Sequence, residues 1–456
     1  MKISLLRRSL LCAAALSLAP IVARADTGSA TINSGDCAWM LISAALVLLM
    51  TPGLALFYGG MVRGKNVLSV LMQSFLACGL VSIIWVLVGY SLAFGPDHFG
   101  VIGDLSWCGL NNVSMYHPDP YGYAPTIPHL LFMIFQMTFA IITPALVSGA
   151  IVERMKFSSY FVFIALWSIC VYAPIAHMIW AHNGILGMTG PVKAIDFAGG
   201  TTVEVCSGVS ALVMALVVGK RRSNHPDELR PHNLPLTMVG TALLWFGWFG
   251  FNAGSAQNAG PTAVNAFVCT HLAAAGAATT WLLIEWSLYK KPSVLGFASG
   301  AVAGMVAITP AAGFVRPMPG LLIGIVAAGI SFYAIKVKNK LGYDDSLDVF
   351  AVHGCAGFWG LLANGLFATI WVNKSGGADG LFYGHPEQLG RQLIAAVTAV
   401  AVAGIGTFIV AKLTGLLTGG LRSSAESEDS GLDVTEHGEV GYSTDNGGIP
   451  AFGGAE

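Results

Sequence analysis

Beyond residue 36 the chain alternates apolar runs of about 20 residues with short polar or glycine-rich breaks. A run of that length crosses the hydrocarbon core of a bilayer as an α-helix, at 1.5 Å per residue. The pattern predicts eleven spans, near 38–60, 67–94, 127–152, 158–180, 200–219, 234–255, 261–288, 293–314, 320–336, 349–371 and 392–418. The segment from Gly95 to Thr126 is a long connection without a Lys or Arg. An all-α polytopic membrane protein follows, set in a lipid bilayer.

The first apolar run is of another kind. Met1–Ala25 opens with Lys2, Arg7 and Arg8, continues through the short run Ser9–Ala19 and ends in Ala23-Arg24-Ala25. A basic start, a short apolar centre and small residues at −3 and −1 describe a cleaved signal peptide, not a first span. The expected divisions are a signal peptide over 1–25, an eleven-helix body over 26–418 and a tail over 419–456.

Charge supplies the orientation. With the N-terminus outside, the inner side carries Arg63, Lys65, Arg154, Lys156, the cluster Lys220-Arg221-Arg222, Arg230, Lys290, Lys291, Lys336, Lys338, Lys340, Lys412 and Arg422. The outer side of the mature chain holds Lys193, Arg316, Lys374 and Arg391. The excess inside sets the N-terminus outside and the C-terminus in the cytoplasm of a bacterial inner membrane.

Composition narrows the classes further. Charged residues are 10% of the chain and hydrophobic ones 55%, against about 25% charged in a soluble domain. A net charge of −1 excludes a basic nucleic-acid binder. Of 56 glycines, Gly296, Gly300 and Gly304 recur every fourth residue, a ridge that lets helices approach closely. Of eight cysteines, Cys37 and Cys108 are the ones on the oxidising outer side, where a disulfide between them is possible.

Two segments read alike: Asp196-x7-Glu204-x-Cys206-x-Gly208 and Asp345-x7-His353-x-Cys355-x-Gly357. Each opens a span, the fifth and the tenth, so five-span halves enter from opposite faces. An inverted 5+5 repeat plus a final helix places the working site where the halves meet. Glu204 and His353 fall at matching depths, where an ionisable group costs about 2.5–3.5 kcal/mol. Three readings are open: a structural pair, a metal site, or a relay that moves a proton. Two ligands are too few for a metal without an accompanying motif, and an acid beside an imidazole suits proton transfer. His129, His177 and His271 read as packing or interface histidines. Asp196, ahead of Gly199-Gly200-Thr201, reads as a helix cap more than as a substrate contact.

Several segments then resemble one family. Phe57-Tyr58-Gly59-Gly60-Met61-Val62-Arg63, Ile175-Ala176-His177-Met178-Ile179-Trp180, Asp196-Phe197-Ala198-Gly199-Gly200-Thr201, Trp245-Phe246-Gly247-Trp248-Phe249-Gly250-Phe251-Asn252-Ala253-Gly254-Ser255 and Asp348-Val349-Phe350-Ala351-Val352-His353-Gly354 resemble the ammonium transporter family (Amt/Mep/Rh). The resemblance covers the mature chain and implies a homotrimer with one pore per subunit. It implies that Trp180, Phe139 and Ser255 recruit ammonium (methylammonium being an analogue), that Asp196 supports that site, and that Phe139 and Phe251 form a gate beneath it. It also implies that Gly431-Leu432-Asp433 and His437-Gly438-Glu439, with Tyr442, belong to a tail that docks a PII-type signalling protein. By composition alone that tail is disordered, whereas the family pattern implies ordered contact with the bundle for its centre.

The chain departs from the family at one point. His353 matches the second of two mid-pore histidines, but Glu204 stands in the first position, as an acidic residue does in a fungal subgroup. The expected function is ammonium transport, with Glu204 and His353 handling the proton and with no cofactor, no metal and no enzymatic chemistry. An ammonium sensor that signals through its tail with little flux is the rival reading.

Overall fold

The structure, a computed structural model, describes residues 32–222 and 229–442. The expected signal peptide and the end of the tail lie outside the described residues. Eleven apolar helices carry the body: α1 (Ser34–Met61), α2 (Gly64–Phe94), α3 (His129–Ser148), α4 (Phe157–Trp180), α5 (Gly200–Val218), α6 (Leu234–Gly254), α7 (Pro261–Tyr289), α8 (Val294–Ile308), α9 (Pro317–Leu341), α10 (Phe350–Phe367) and α11 (Pro386–Thr418). Two short helices, α12 (Ala425–Ser430) and α13 (Leu432–His437), follow in the tail. The long connection contains a small antiparallel hairpin, Asp97–His98 against Ile102–Gly103, and with an isolated bridge between Met155 and Arg422 it is the β-pairing found among the described residues.

Ten of the eleven helices are long and apolar enough to cross a membrane. The exception is α8, which stops at Ile308 after 15 residues where the sequence predicts a span to 314. Pro310 cannot donate a backbone hydrogen bond, and the chain continues in tight turns, with the Ala311 N–H bonded to the Ile308 carbonyl. The third helix behaves the same way: α3 ends at Ser148, short of the expected 152, and Gly149, Ala150 and Ile151 each bond three residues back.

These two early endings are where the chain crosses itself. The Phe197 N–H donates to the Pro310 carbonyl, and the Leu347 N–H donates to the Gly149 carbonyl, each at 3.1 Å. Each turn after a shortened helix therefore receives the strand of chain that leads into α5 or α10. Both of those helices begin with a π-helical turn, Gly200–Val205 and Phe350–Cys355. Such wide turns are uncommon and concentrate at functional sites.

Glycine sets how closely α5 and α10 cross. A Cβ on Gly208 would lie 2.2 Å from the Gly354 nitrogen, and one on Gly357 would lie 2.7 Å from the Glu204 Cβ. No side chain fits at either place. Leucine, isoleucine and phenylalanine cover the outer faces, as on α11, where Leu393, Ile394, Ile405, Phe408 and Leu416 are exposed. In lipid that exposure carries no hydrophobic penalty.

Gly208→Ala should push α5 from α10 and lower the melting temperature of the purified protein by several degrees. Gly329→Ala, at a position with open space around it, should leave the melting temperature unchanged.

Candidate functional site

The repeated motif places its residues by one device used twice. Asp196 accepts backbone hydrogen bonds from Gly199 (2.9 Å), Gly200 (2.7 Å) and Thr201 (2.7 Å) at the start of α5. Asp345 accepts from Val349 (3.1 Å) and Phe350 (2.7 Å) at the start of α10. Each carboxylate meets N–H groups that a helix start leaves without partners. Eight residues after each cap, on the wide first turn, stand Glu204 and His353. Their side chains touch, with His353 Nδ1 2.7 Å from Glu204 Oε2.

Both groups are buried, at 0% and 3% exposure. An ionised carboxylate only accepts, so with Glu204 ionised it is His353 that donates, from Nδ1, and a neutral imidazole then keeps its lone pair on Nε2. The second carboxylate oxygen, Oε1, has no protein partner. The pair lines a narrow chamber whose other walls include Leu54, Phe57, Ile142, Trp248 and Phe251. Among the described residues, no group of three His, Cys, Asp or Glu stands together to hold a metal.

A second cavity opens on the other side of Phe251, lined by Phe139, Trp180 and Ser255. The Trp180 indole is fixed by donating to the Asp196 carbonyl at 3.0 Å, and its ring meets Phe139 edge-on at 6.0 Å. Ser255 donates its hydroxyl proton to the Phe251 carbonyl at 2.8 Å, so its lone pairs are what it offers the cavity. The Phe139 and Phe251 rings lie 4.2 Å apart, tilted by 31°. Phe139 lines this second cavity and Phe251 the chamber of the Glu204–His353 pair, so these touching rings separate the two. Asp196 supports the cavity through its backbone carbonyl, while its carboxylate holds α5.

The other histidines serve packing. His129 pairs with the Tyr90 hydroxyl at 2.6 Å, and His177 sits between the Ala93 carbonyl (3.1 Å) and Asp97 (2.9 Å). His271 lies on the exposed side of α7 beside Trp245. Cys37 and Cys108 are both free thiols, so the bridge that their shared side of the membrane would allow is not formed. Cys37 is in the first turn of α1, while Cys108 starts a separate short turn in the long connection.

The tail packs against the helix ends instead of hanging free as its composition suggests. Asp433, 1% exposed, accepts from the Leu68 (3.0 Å) and Ser69 (2.8 Å) N–H groups at the start of α2. Leu432 is fully buried and donates its N–H to Asn66. Gly438 takes a left-handed φ of 69° that ends α13, and the Glu439 N–H then returns to the Asp433 carbonyl. His437 packs edge-on against Phe157 at 4.8 Å, and the Tyr442 hydroxyl meets His232 at 2.9 Å.

Beneath the tail runs a buried ionic network that sequence reading missed. Asn66 also donates to Glu153, which pairs with Arg63 (3.0 Å) and Arg221 (3.1 Å), and Arg221 pairs with Asp344 at 2.9 Å. Burial alone would raise Asp344, but Arg154 and Arg221 outweigh it and bring its pKa down to about 2. Its neighbour Asp345 is instead pushed up to about 6, by burial and then by Asp348. A lone arginine or acid in the sequence carries no sign of such pairing, because the partners are far apart along the chain.

Comparisons with known proteins point to one family. The model of the Ammonium Transporter Family matches residues 38–442. The ammonium transporter of Bacillus subtilis is 50% identical over 90% of this chain and 99% of that protein. The ammonium transporter Amt1 of Archaeoglobus fulgidus is 43% identical over 90% of this chain and 100% of that protein. Among solved structures, Saccharomyces cerevisiae Mep2 superposes with a TM-score of 0.81 at 35% identity, covering 87% of this chain and 89% of that one. A structure described as a sensor Amt protein gives 0.79 at 29% identity, covering 88% and 98%.

Asp433→Ala removes the acceptor for two N–H groups, at about 1.5–3 kcal/mol for a hydrogen bond to a charged group. It should release the tail and speed proteolysis between residues 425 and 442 by about tenfold or more. Glu439→Ala, whose side chain is exposed, should leave the cleavage rate as it is in the parent.

Proposed function

The chain belongs to the ammonium transporter family, and from that premise we propose that it captures ammonium at the Trp180 cavity, removes a proton and conducts ammonia past Glu204 and His353. The observation that carries this reading is the buried Glu204–His353 contact at 2.7 Å, on the far side of an aromatic gate. Ammonium is drawn to the faces of Trp180 and Phe139 by cation–π attraction, about 0.5–2 kcal/mol depending on desolvation. The Ser255 lone pairs accept one of its N–H groups. Neither contact offsets stripping the ion of water in an apolar tube, which costs on the order of tens of kcal/mol in the Born limit. The cation therefore sheds a proton and continues as ammonia. Glu204 and His353 take up and hand on that proton, the carboxylate through Oε1 and the imidazole through Nε2. Potassium has no proton to lose and is refused.

The Lys and Arg distribution supports an outside N-terminus, eleven spans and a cytoplasmic tail in a bacterial inner membrane, with residues 1–25 removed. Matching caps, wide turns and shortened helices in the two halves support an inverted repeat. A homotrimer is favoured by His271, whose ring is exposed on a helix that lipid would otherwise surround. The docked segment from Leu432 to Tyr442 offers a formed surface for a PII-type protein. That docking, with the likeness to a sensor Amt protein, also favours a second reading, a sensor with little flux.

Solid-supported-membrane currents in reconstituted protein test the transport reading and separate it from the sensor. Glu204→Gln keeps the volume but cannot titrate, and should nearly abolish the ammonium-evoked current in folded protein. Glu204→His should retain current with a shifted pH dependence, since an imidazole titrates near 6.5. Wild-type current and pH dependence in Glu204→Gln would make the pair a structural fastening. Trp180→Leu should raise the half-saturating ammonium concentration and admit potassium. Deleting Ser427–Glu456 should abolish PII binding and inhibition while leaving trimers intact.

A further inference from the structure

Two amide side chains in the outer cavity have no role in the account above. Gln136 lies on α3, one turn before Phe139, and is 7% exposed. Gln257 follows α6, two residues after Ser255. Both line the cavity that holds Phe139, Trp180 and Ser255. In both, Oε1 is buried and has no protein partner. Buried polar atoms nearly always have partners, and an acceptor left without one costs about 1–3 kcal/mol. Two unmet amide oxygens in one small cavity ask for a ligand that brings donors.

The rest of the cavity specifies that ligand. Ser255 has directed its proton to the Phe251 carbonyl and presents lone pairs only. The Tyr123 hydroxyl donates to the Phe94 carbonyl and accepts from the His182 N–H, so it is already engaged at both. The remaining walls are aromatic faces, which attract cations, and no Lys or Arg lines the space. Oxygen acceptors, aromatic faces and no competing cation suit a small cation that carries several N–H donors.

We propose that Gln136 and Gln257 are substrate ligands which, with Ser255, form an oxygen cup that reads the N–H groups of ammonium. The proposal rests on the transport reading and adds two specificity-determining residues to it. The amides bind the cation before it reaches the gate. Their loss weakens capture and leaves the later proton step untouched.

The experiment is a set of ammonium titrations by solid-supported-membrane current, with wild type, Gln136→Met, Gln257→Met and Gln257→Glu reconstituted as the full chain. Each methionine variant keeps the length and removes the acceptor. Each should raise the half-saturating concentration by about tenfold, as expected for losing one hydrogen bond to a charged group, and keep the maximal current. Gln257→Glu, which adds a negative charge at a half-buried position, should lower the half-saturating concentration. If Gln136→Met fails to fold, the two Gln257 variants decide. Unchanged half-saturation in the folded variants, or a loss of maximal current alone, overturns the proposal while leaving the transport reading in place. Absence of any wild-type current overturns both.

Discussion

A cation cannot be solvated by hydrocarbon, and every other feature of the pore answers that fact. The cost of dehydration exceeds what aromatic faces and one hydroxyl return. A site that only attracted ammonium would hold it at the mouth. The chamber beyond Phe251 is walled by apolar side chains apart from one acid and one imidazole. In the proposed mechanism those two groups handle the proton, because transport in two parts, neutral molecule and proton, avoids carrying the charge through the tube intact.

The pair exists because two helices approach without side chains between them. Gly208 faces Gly354, and Gly357 faces Glu204, at separations that exclude even a methyl group. The caps Asp196 and Asp345 fix where each helix starts, and the wide first turn shifts the following side chains relative to a regular helix. Backbone bonds from Phe197 to Pro310 and from Leu347 to Gly149 join each cap region to the opposite half. The geometry of two reactive side chains is thus set by backbone, and the apolar bulk of the bundle supports it.

Most of this was legible in the sequence, and the exceptions share a cause. Apolar run length located the helices, because the bilayer imposes one length on all of them, and repeat spacing paired Glu204 with His353 before any contact was seen. Length failed at α3 and α8, whose apolar residues continue into turns: hydropathy registers composition, not hydrogen bonding. In the tail, composition erred in the opposite direction, where the family pattern implied ordered contact. The tail's Ser, Glu and Gly content reads as disorder, yet Leu432 and Asp433 are buried by partners some 360 residues away. The Cys37–Cys108 bridge failed for the same reason, since a shared side of the membrane does not bring two thiols together. Gln136 and Gln257 carry no motif, and only the cavity around them gives them meaning.

The central claim is that ammonium must part from a proton inside the protein. The most direct measurement compares ammonium-evoked currents from the wild-type protein in H2O and D2O, after correction for solvent viscosity. If Glu204 and His353 relay the proton, the current in D2O falls well below the viscosity-corrected value. Equal corrected currents in the two solvents would mean that no proton transfer limits transport, and would contradict the account.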